Sequence, residues 1–324
     1  MAVDFMIEAP DIIKKFLVYM STIKNRSKKT VNEYYIDLRT FFRFLNHSRG
    51  IVSDSVDFED IKIDNVDVDL VKTVTLRESY EFMYYLKETR GNNATSRARK
   101  TSSLRQFYKY LEREHIIETN PLKDLETPKA KKSLPKYLTL EQSVQLLEAV
   151  EGDNYYRDYC ILTLFLNCGL RLSEMCGLNY TDIRSDNTMR VLGKGNKERI
   201  IYLNKACLRA INNYLEVRPT DGLKDRHALF ISRNHNRMSP KTVQAMVYKY
   251  LEKIGLNAQG YSCHKLRHTA ATLMYQTGEV DIRVLKEILG HENLGTTEIY
   301  THLSNDQMKQ AAESNPLGNI KIER

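Results

Sequence analysis

The feature that most constrains this chain is a run of three prolines inside residues 120–139, NPLKDLETPKAKKSLPKYLT. Proline fixes φ and removes a backbone donor, so no helix interior or central strand runs through Pro121, Pro128 and Pro135. With its interspersed lysines the stretch reads as an exposed linker between two folding units. At 324 residues the chain leaves enough on either side for a core in each part. The expected division is 1–127, a basic linker at 128–138, and 139–324.

The first part reads as helices. Apolar residues recur at helical spacing over 8–22 and over 28–46 (KKTVNEYYIDLRTFFRFLN), where Thr30 with Glu33 forms a capping-box pattern. An acidic stretch follows, with seven acids against one lysine over 54–69, and is expected as an irregular connection with a short helix. Thr75 opens a further helix to about Lys87, and 94–114 forms another. Cations fill the first half of that last helix, against the helix dipole. They suit a nearby phosphate backbone, and equally a solvated basic face.

The second part changes character. Helical stretches at 139–151 and 155–168 precede two β-rich runs, MRVL and RIIYL, joined through the turn GKGN as a hairpin. Further helices are expected at 204–217, 239–254, 263–276, 281–289 and 296–312. The predicted fold class is therefore mostly α with a small antiparallel β-sheet in the C-terminal domain.

Charge narrows the partner. The net charge is +8 and the cations are segregated: residues 97–109 carry five cations and no acid, and KAKKSLPK at 129–136 is purely basic. A basic face of this kind favours a polyanion. The five cysteines form no C-x-x-C pair and their number is odd, which points to buried free thiols and neither a disulfide framework nor a zinc ribbon. The apolar runs are too short for a membrane span and the first residues lack a signal-peptide pattern, so a cytoplasmic protein is expected.

Five short patterns carry chemistry. In CGLRLSEM (168–175) Gly169 ends one helix and the next begins at once, which holds Arg171 in a tight junction. There its planar fork serves a phosphate, or a structural ion pair with Glu174. In LGKGNKERI, flanking glycines set Lys194 at a hairpin tip, as a proton donor or as an ordinary exposed lysine; Lys197 and Arg199 are alternatives nearby. In CHKLRH, His264 and Arg267 share a helix face. His264 and His268 have zinc-ligand spacing but lack a third ligand, so the His–Arg pair suits a phosphate better. In ILGHENLG, Gly290 ends a helix and His291 begins a loop; in TTEIYTHL, Tyr300 lies about one turn into a helix. An attacking oxygen, an acid, a base and fixed cations are what metal-free phosphodiester cleavage requires.

In order and wording these motifs resemble those of the tyrosine recombinases (lambda-integrase superfamily), most closely the Xer-like members. The resemblance spans nearly the whole chain and assigns Arg171, Lys194, His264, Arg267, His291 and Tyr300 as catalytic. It implies that Tyr300 attacks the scissile phosphate to give a 3′-phosphotyrosyl link. Arg171 and Arg267 hold the non-bridging oxygens and Lys194 protonates the leaving oxygen. His264 assists as base, His291 bonds the phosphate, and Glu174 orients Arg171. No cofactor and no metal are implied.

The resemblance further implies a two-domain C-shaped clamp on double-stranded DNA. The helical core-binding (SAM-like) domain is followed by a catalytic domain whose tail docks in trans. The assembly is a homotetramer acting on two short inverted-repeat sites through a Holliday junction, with a paralogous recombinase or a DNA translocase as further partners and no membrane. The uses compatible with it are chromosome dimer resolution, DNA inversion, and integration or excision of an element. Arg97, Arg99, Lys100 and Arg105 on the basic helix are expected DNA contacts. Lys241 and Gln244, on a helix read as entering the major groove, are expected base readers. Two other readings share parts of this pattern: a type IB topoisomerase-like nicking-closing enzyme, and a DNA-binding protein without catalysis.

Overall fold

The computed structural model describes residues 5–129, 136–193, 197–276 and 281–290. The chain divides into two compact units, Met1–Lys132 and Ser133–Arg324. The described residues are mostly helical, with one two-stranded antiparallel sheet.

The first unit holds α1 (Phe5–Glu8), α2 (Asp11–Thr22), α3 (Lys28–Ser48), α4 (Val68–Lys72), α5 (Leu76–Glu88) and α6 (Ala94–Arg113). Pro10 separates α1 from α2, as expected of a residue that tolerates only a helix's first turn. The amphipathic stripes of α2, α3, α5 and α6 meet in an aromatic core. Phe16 packs edge-on against Phe107 with ring centroids at 5.3 Å, and Phe41 against Phe82 at 5.2 Å. The cap of α3 differs from expectation. Ser27 accepts from the Thr30 backbone, so Thr30 lies inside the helix, and Glu33 pairs with Arg99. Thr75 does cap α5, with Glu78 completing the capping box.

The second unit holds α7 (Leu140–Glu148), α8 (Tyr155–Cys168), α9 (Leu172–Gly177), β1 (Thr188–Leu192), β2 (Glu198–Tyr202), α10 (Lys205–Val217), α11 (Pro240–Lys253), α12 (Cys263–Gln276) and α13 (Ile282–Leu289). Helix α8 is its axis. Cys160, Ile161, Leu162, Leu164 and Phe165 are all fully buried, so most of the helix circumference is apolar and covered, in part by α10 and α12. Residues 136–138, assigned to the linker from sequence, belong to this unit. Leu138 is buried and its N–H donates to Thr269 Oγ1 at 2.9 Å, while Tyr261 donates to the Tyr137 carbonyl at 3.3 Å. The strands pair with Met189 opposite Ile201 and Val191 opposite Arg199. All five cysteines are free and buried. Among the described residues, no helix is long and apolar enough to cross a membrane.

Candidate active site

Three short pieces of backbone meet at the site: the α8–α9 junction, the start of α12 and the end of α13. Gly169 ends α8 in the left-handed region at φ +59°, where a side chain is disfavoured. A Cβ there would also lie 2.7 Å from Leu289 Cδ2, so any other residue would push the buried Leu289 of α13 aside. Two residues on, Arg171 caps α9. Glu174, at the third helical position, reaches back to accept the Arg171 backbone N–H at 2.8 Å.

Glu174 is the hub of an arginine cluster. Its side chain is 2% exposed. Oε1 accepts Arg171 Nη1 at 2.8 Å and Arg199 Nη1 at 2.9 Å, and Oε2 accepts Arg199 Nη2 at 2.9 Å. Arg267 Nη1 stands 3.8 Å from Oε2. Burial alone raises the carboxyl pKa, but the Arg199 and Arg171 hydrogen bonds and charges outweigh it and hold Glu174 at about 2. With three guanidiniums around one carboxylate, the cluster keeps a surplus of positive charge.

The same arginines cap α13. Arg199 Nε donates to the Ile288 carbonyl at 2.9 Å, Arg267 Nη2 to Leu289 at 2.6 Å, and Arg171 Nη2 to Gly290 at 2.9 Å. Cations at a helix C-terminus complete its unsatisfied carbonyls and oppose the dipole, an effect worth up to about 2 kcal/mol in partly buried geometry. Arg267 is buried and also donates to the Gly169 carbonyl at 2.7 Å. The Arg171 side chain stays 34% exposed, which leaves part of its fork open toward solvent.

His264 lies on α12 one turn before Arg267, and its ring meets His268 edge-on at 4.5 Å. Desolvation, then the charges of Arg267, Lys265 and Arg171, hold His264 below the ordinary histidine range. Burial and the neighbouring His264, Lys265 and Arg267 push His268 down to about 4. Near neutral pH both rings are therefore uncharged, and His264 is able to accept a proton.

Arg171 and Glu174 from one motif and Arg267 from another thus converge in one cluster, and the positive charges of Arg171 and Arg267 act on His264. Lys194, His291 and Tyr300 lie outside the described residues. Gly193 and Gly290, which precede positions 194 and 291 in the chain, both abut the cluster. A Cβ on Gly193 would lie 3.6 Å from Glu174 Oε1, and one on Gly290 would lie 3.1 Å from Arg199 Nη1. Arg199 was read from sequence only as a stand-in for the lysine; its alternation with the buried Ile201 along β2 was the signal that it faces inward.

On the basic helix α6, three of the four cations expected at DNA, Arg97, Arg99 and Lys100, have partners within the first unit. Lys100 is 7% exposed and its ammonium bonds the fully buried Asp37 at 2.9 Å, so it is an internal ion-pair partner, withdrawn from solvent by its position on the core face. Arg99 also turns to Asp37 and Glu33, and Arg97 bonds the Asn92 carbonyl. Arg105 is exposed and lines a surface cleft with Lys109 and Lys123. On α11 Lys241 is exposed, while the Gln244 amide bonds Tyr248 one turn along at 3.2 Å.

The sequence model of the phage integrase family matches residues 136–307, and that of the phage integrase N-terminal SAM-like domain matches 13–115. Tyrosine recombinase XerC of Caldanaerobacter subterraneus subsp. tengcongensis is 50% identical over 309 residues, covering 95% of this chain and 87% of that protein. Tyrosine recombinase XerC of Thermodesulfovibrio yellowstonii is 34% identical over 301 residues, covering 90% and 91%. Among solved structures, the XerH site-specific recombinase bound to difH substrate in a pre-cleavage complex shares the fold. Its TM-score is 0.67 at 21% identity, with 93% of this chain and 84% of that chain covered. The relatives span both units and are recombinases, which favours strand exchange over a nicking-closing or non-catalytic protein. The chain is a member of the phage integrase family of tyrosine recombinases, enzymes of site-specific DNA recombination.

Proposed function

We propose that this enzyme cuts and rejoins double-stranded DNA at paired short sites, with Tyr300 as nucleophile and Arg171, Lys194, His264, Arg267 and His291 around the scissile phosphate. The observation that carries this reading is the cationic cluster on Glu174, which fixes Arg171 and Arg267 beside an uncharged histidine. Preorganised cations stabilise the charge that develops on a phosphate under attack, with no reorganisation at the moment of reaction. His264 takes the phenol proton. Lys194 gives one to the leaving 5′-oxygen. The phosphotyrosyl bond keeps the energy of the broken phosphodiester, so rejoining needs neither ATP nor metal.

The first unit acts as a helical core-binding domain on DNA and the second as the catalytic domain, with residues 304–324 docking on a neighbouring subunit. Four copies act on two sites through a Holliday junction, in the cytoplasm. Lys241 and Gln244 on α11 read bases, and Arg105 contacts the phosphate backbone.

A nicked duplex that loses the strand next to the cleavage point tests the chemistry. The wild-type chain accumulates a denaturant-resistant covalent adduct in chelator, and Tyr300→Phe binds the same duplex without forming one. An adduct formed equally by Tyr300→Phe removes the assignment.

A further inference from the structure

Arg199 lies on β2 opposite Val191, on the strand face that carries the buried Ile201. A guanidinium placed inward must find acceptors or destabilise the fold. Each of its nitrogens finds one. Nη1 and Nη2 grip the two Glu174 oxygens at 2.9 Å each, and Nε donates to the Ile288 carbonyl at 2.9 Å. Its side chain is only 13% exposed. One residue thus joins the hairpin strand, the start of α9 and the end of α13. Gly290 packs within 3.1–3.3 Å of its guanidinium, measured from where a Cβ would stand.

We infer that Arg199 is a positioning residue for phosphate cleavage: it locks Glu174, the carboxylate that holds Arg171, and it docks strand β2 against the C-terminal end of α13. The inference rests on the proposed function. Its physical basis is competition for one carboxylate. Oε1 is shared between Arg171 Nη1 and Arg199 Nη1, and Oε2 between the Arg171 N–H and Arg199 Nη2. Removing Arg199 takes away one hydrogen-bond donor from each oxygen. The carboxylate is then free to close further on Arg171, whose Nη1 it already bonds, or on Arg267 at 3.8 Å, where it competes with a DNA phosphate for the same guanidinium. A lysine retains the charge but cannot make the two-pronged contact together with the Nε bond to Ile288.

Single-turnover cleavage of the nicked duplex by the full chain tests this, with Arg199→Lys, Arg199→Ala and Tyr300→Phe beside the wild type. Duplex affinity and thermal midpoint are measured for each. Both Arg199 variants are expected to cleave at least about 10-fold more slowly, a smaller loss than removing a direct oxyanion donor, while still binding duplex. Millimolar guanidinium, far below denaturing levels, is expected to speed Arg199→Ala severalfold, and methylammonium is not. A purely structural role requires guanidinium to raise the thermal midpoint of Arg199→Ala in step with its rate, whereas a positioning role requires the rate to rise at an unchanged midpoint. A wild-type rate in Arg199→Ala, or no difference between guanidinium and methylammonium, overturns the inference while a Tyr300-dependent adduct leaves the underlying reading intact. An adduct that persists in Tyr300→Phe overturns both.

Discussion

Glu174 and Arg199 meet prong to prong, each carboxylate oxygen accepting one Nη at 2.9 Å in a pocket where the acid side chain is 2% exposed. The pair explains how three arginines share a small volume without forcing it apart. Glu174→Gln keeps the shape and removes the charge, leaving Arg171, Arg199 and Arg267 without their common counter-ion. Breaking a buried pair in this way costs roughly 3–5 kcal/mol. Urea unfolding of the full chain should show that loss in the transition of the second unit. A cost below about 1 kcal/mol, the level of an exposed pair, would mean that solvent already screens the cluster.

The same unit should lose stability in acid through two adjoining windows. His268 titrates at about 4 in the fold, below the ordinary 6.5. The unfolded chain therefore binds a proton that the fold does not, and stability falls as pH drops from 6.5 to about 4. Glu174 titrates at about 2, below its ordinary 4.5. Its contribution is complete above pH 4.5 and is lost as pH falls toward 2, on the order of 3 kcal/mol. Unfolding free energies measured at stepped pH should show His268→Gln flattening the upper window and Glu174→Gln the lower one. An unchanged slope in either variant would remove that residue from the acid response.

Much of this was legible in the sequence because it is written locally. Thr75, Gly169 and Gly290 each specify one backbone event, and helices α5, α8 and α13 start or stop there, while the two β-rich runs pair as an antiparallel sheet. Arg171, His264 and Arg267 were legible as well, because glycine junctions and helical spacing announce them. Arg199 and Lys100 were not. Whether a cation faces solvent or a buried acid depends on partners far along the chain, Glu174 for Arg199 and Asp37 for Lys100. A run of cations in sequence therefore overstates the charge a surface presents. The Thr30 cap failed for a related reason: Ser27 offers the same chemistry three residues earlier, at the turn the chain makes.

Gly290 gives a way to disturb Arg199 without mutating it. Its φ is +64°, and a Cβ would meet Arg199 Nη1 at 3.1 Å, Cδ at 3.2 Å and Cζ at 3.3 Å. Gly50 in the first unit has a similar φ of +67° with nothing within 4 Å of a Cβ. Each alanine substitution carries the left-handed backbone penalty, about 1 kcal/mol or a little more. Only Gly290→Ala also displaces the guanidinium. Gly290→Ala should therefore slow covalent adduct formation, whereas Gly50→Ala should lower stability alone. Equal adduct rates in the two variants would show that Arg199 moves aside at no functional cost.

On α6, structural and DNA-facing cations should separate by experiment. Asp37 is fully buried and accepts from Arg99 at 2.6 Å, Lys100 at 2.9 Å and Ser103 at 2.7 Å. Asp37→Asn leaves the Lys100 ammonium enclosed without a counter-charge and should destabilise the first unit by roughly 3–5 kcal/mol. Arg105, exposed two residues beyond Ser103, should behave in the opposite way. Arg105→Ala should leave stability within about 0.5 kcal/mol of the wild type. It should also weaken duplex binding and reduce the slope of log affinity against log salt by about 1, the signature of one lost phosphate contact. Duplex titrations at four salt concentrations measure that slope. A slope unchanged in Arg105→Ala would place the DNA-facing charge of this helix elsewhere, with the exposed Lys109 next to examine.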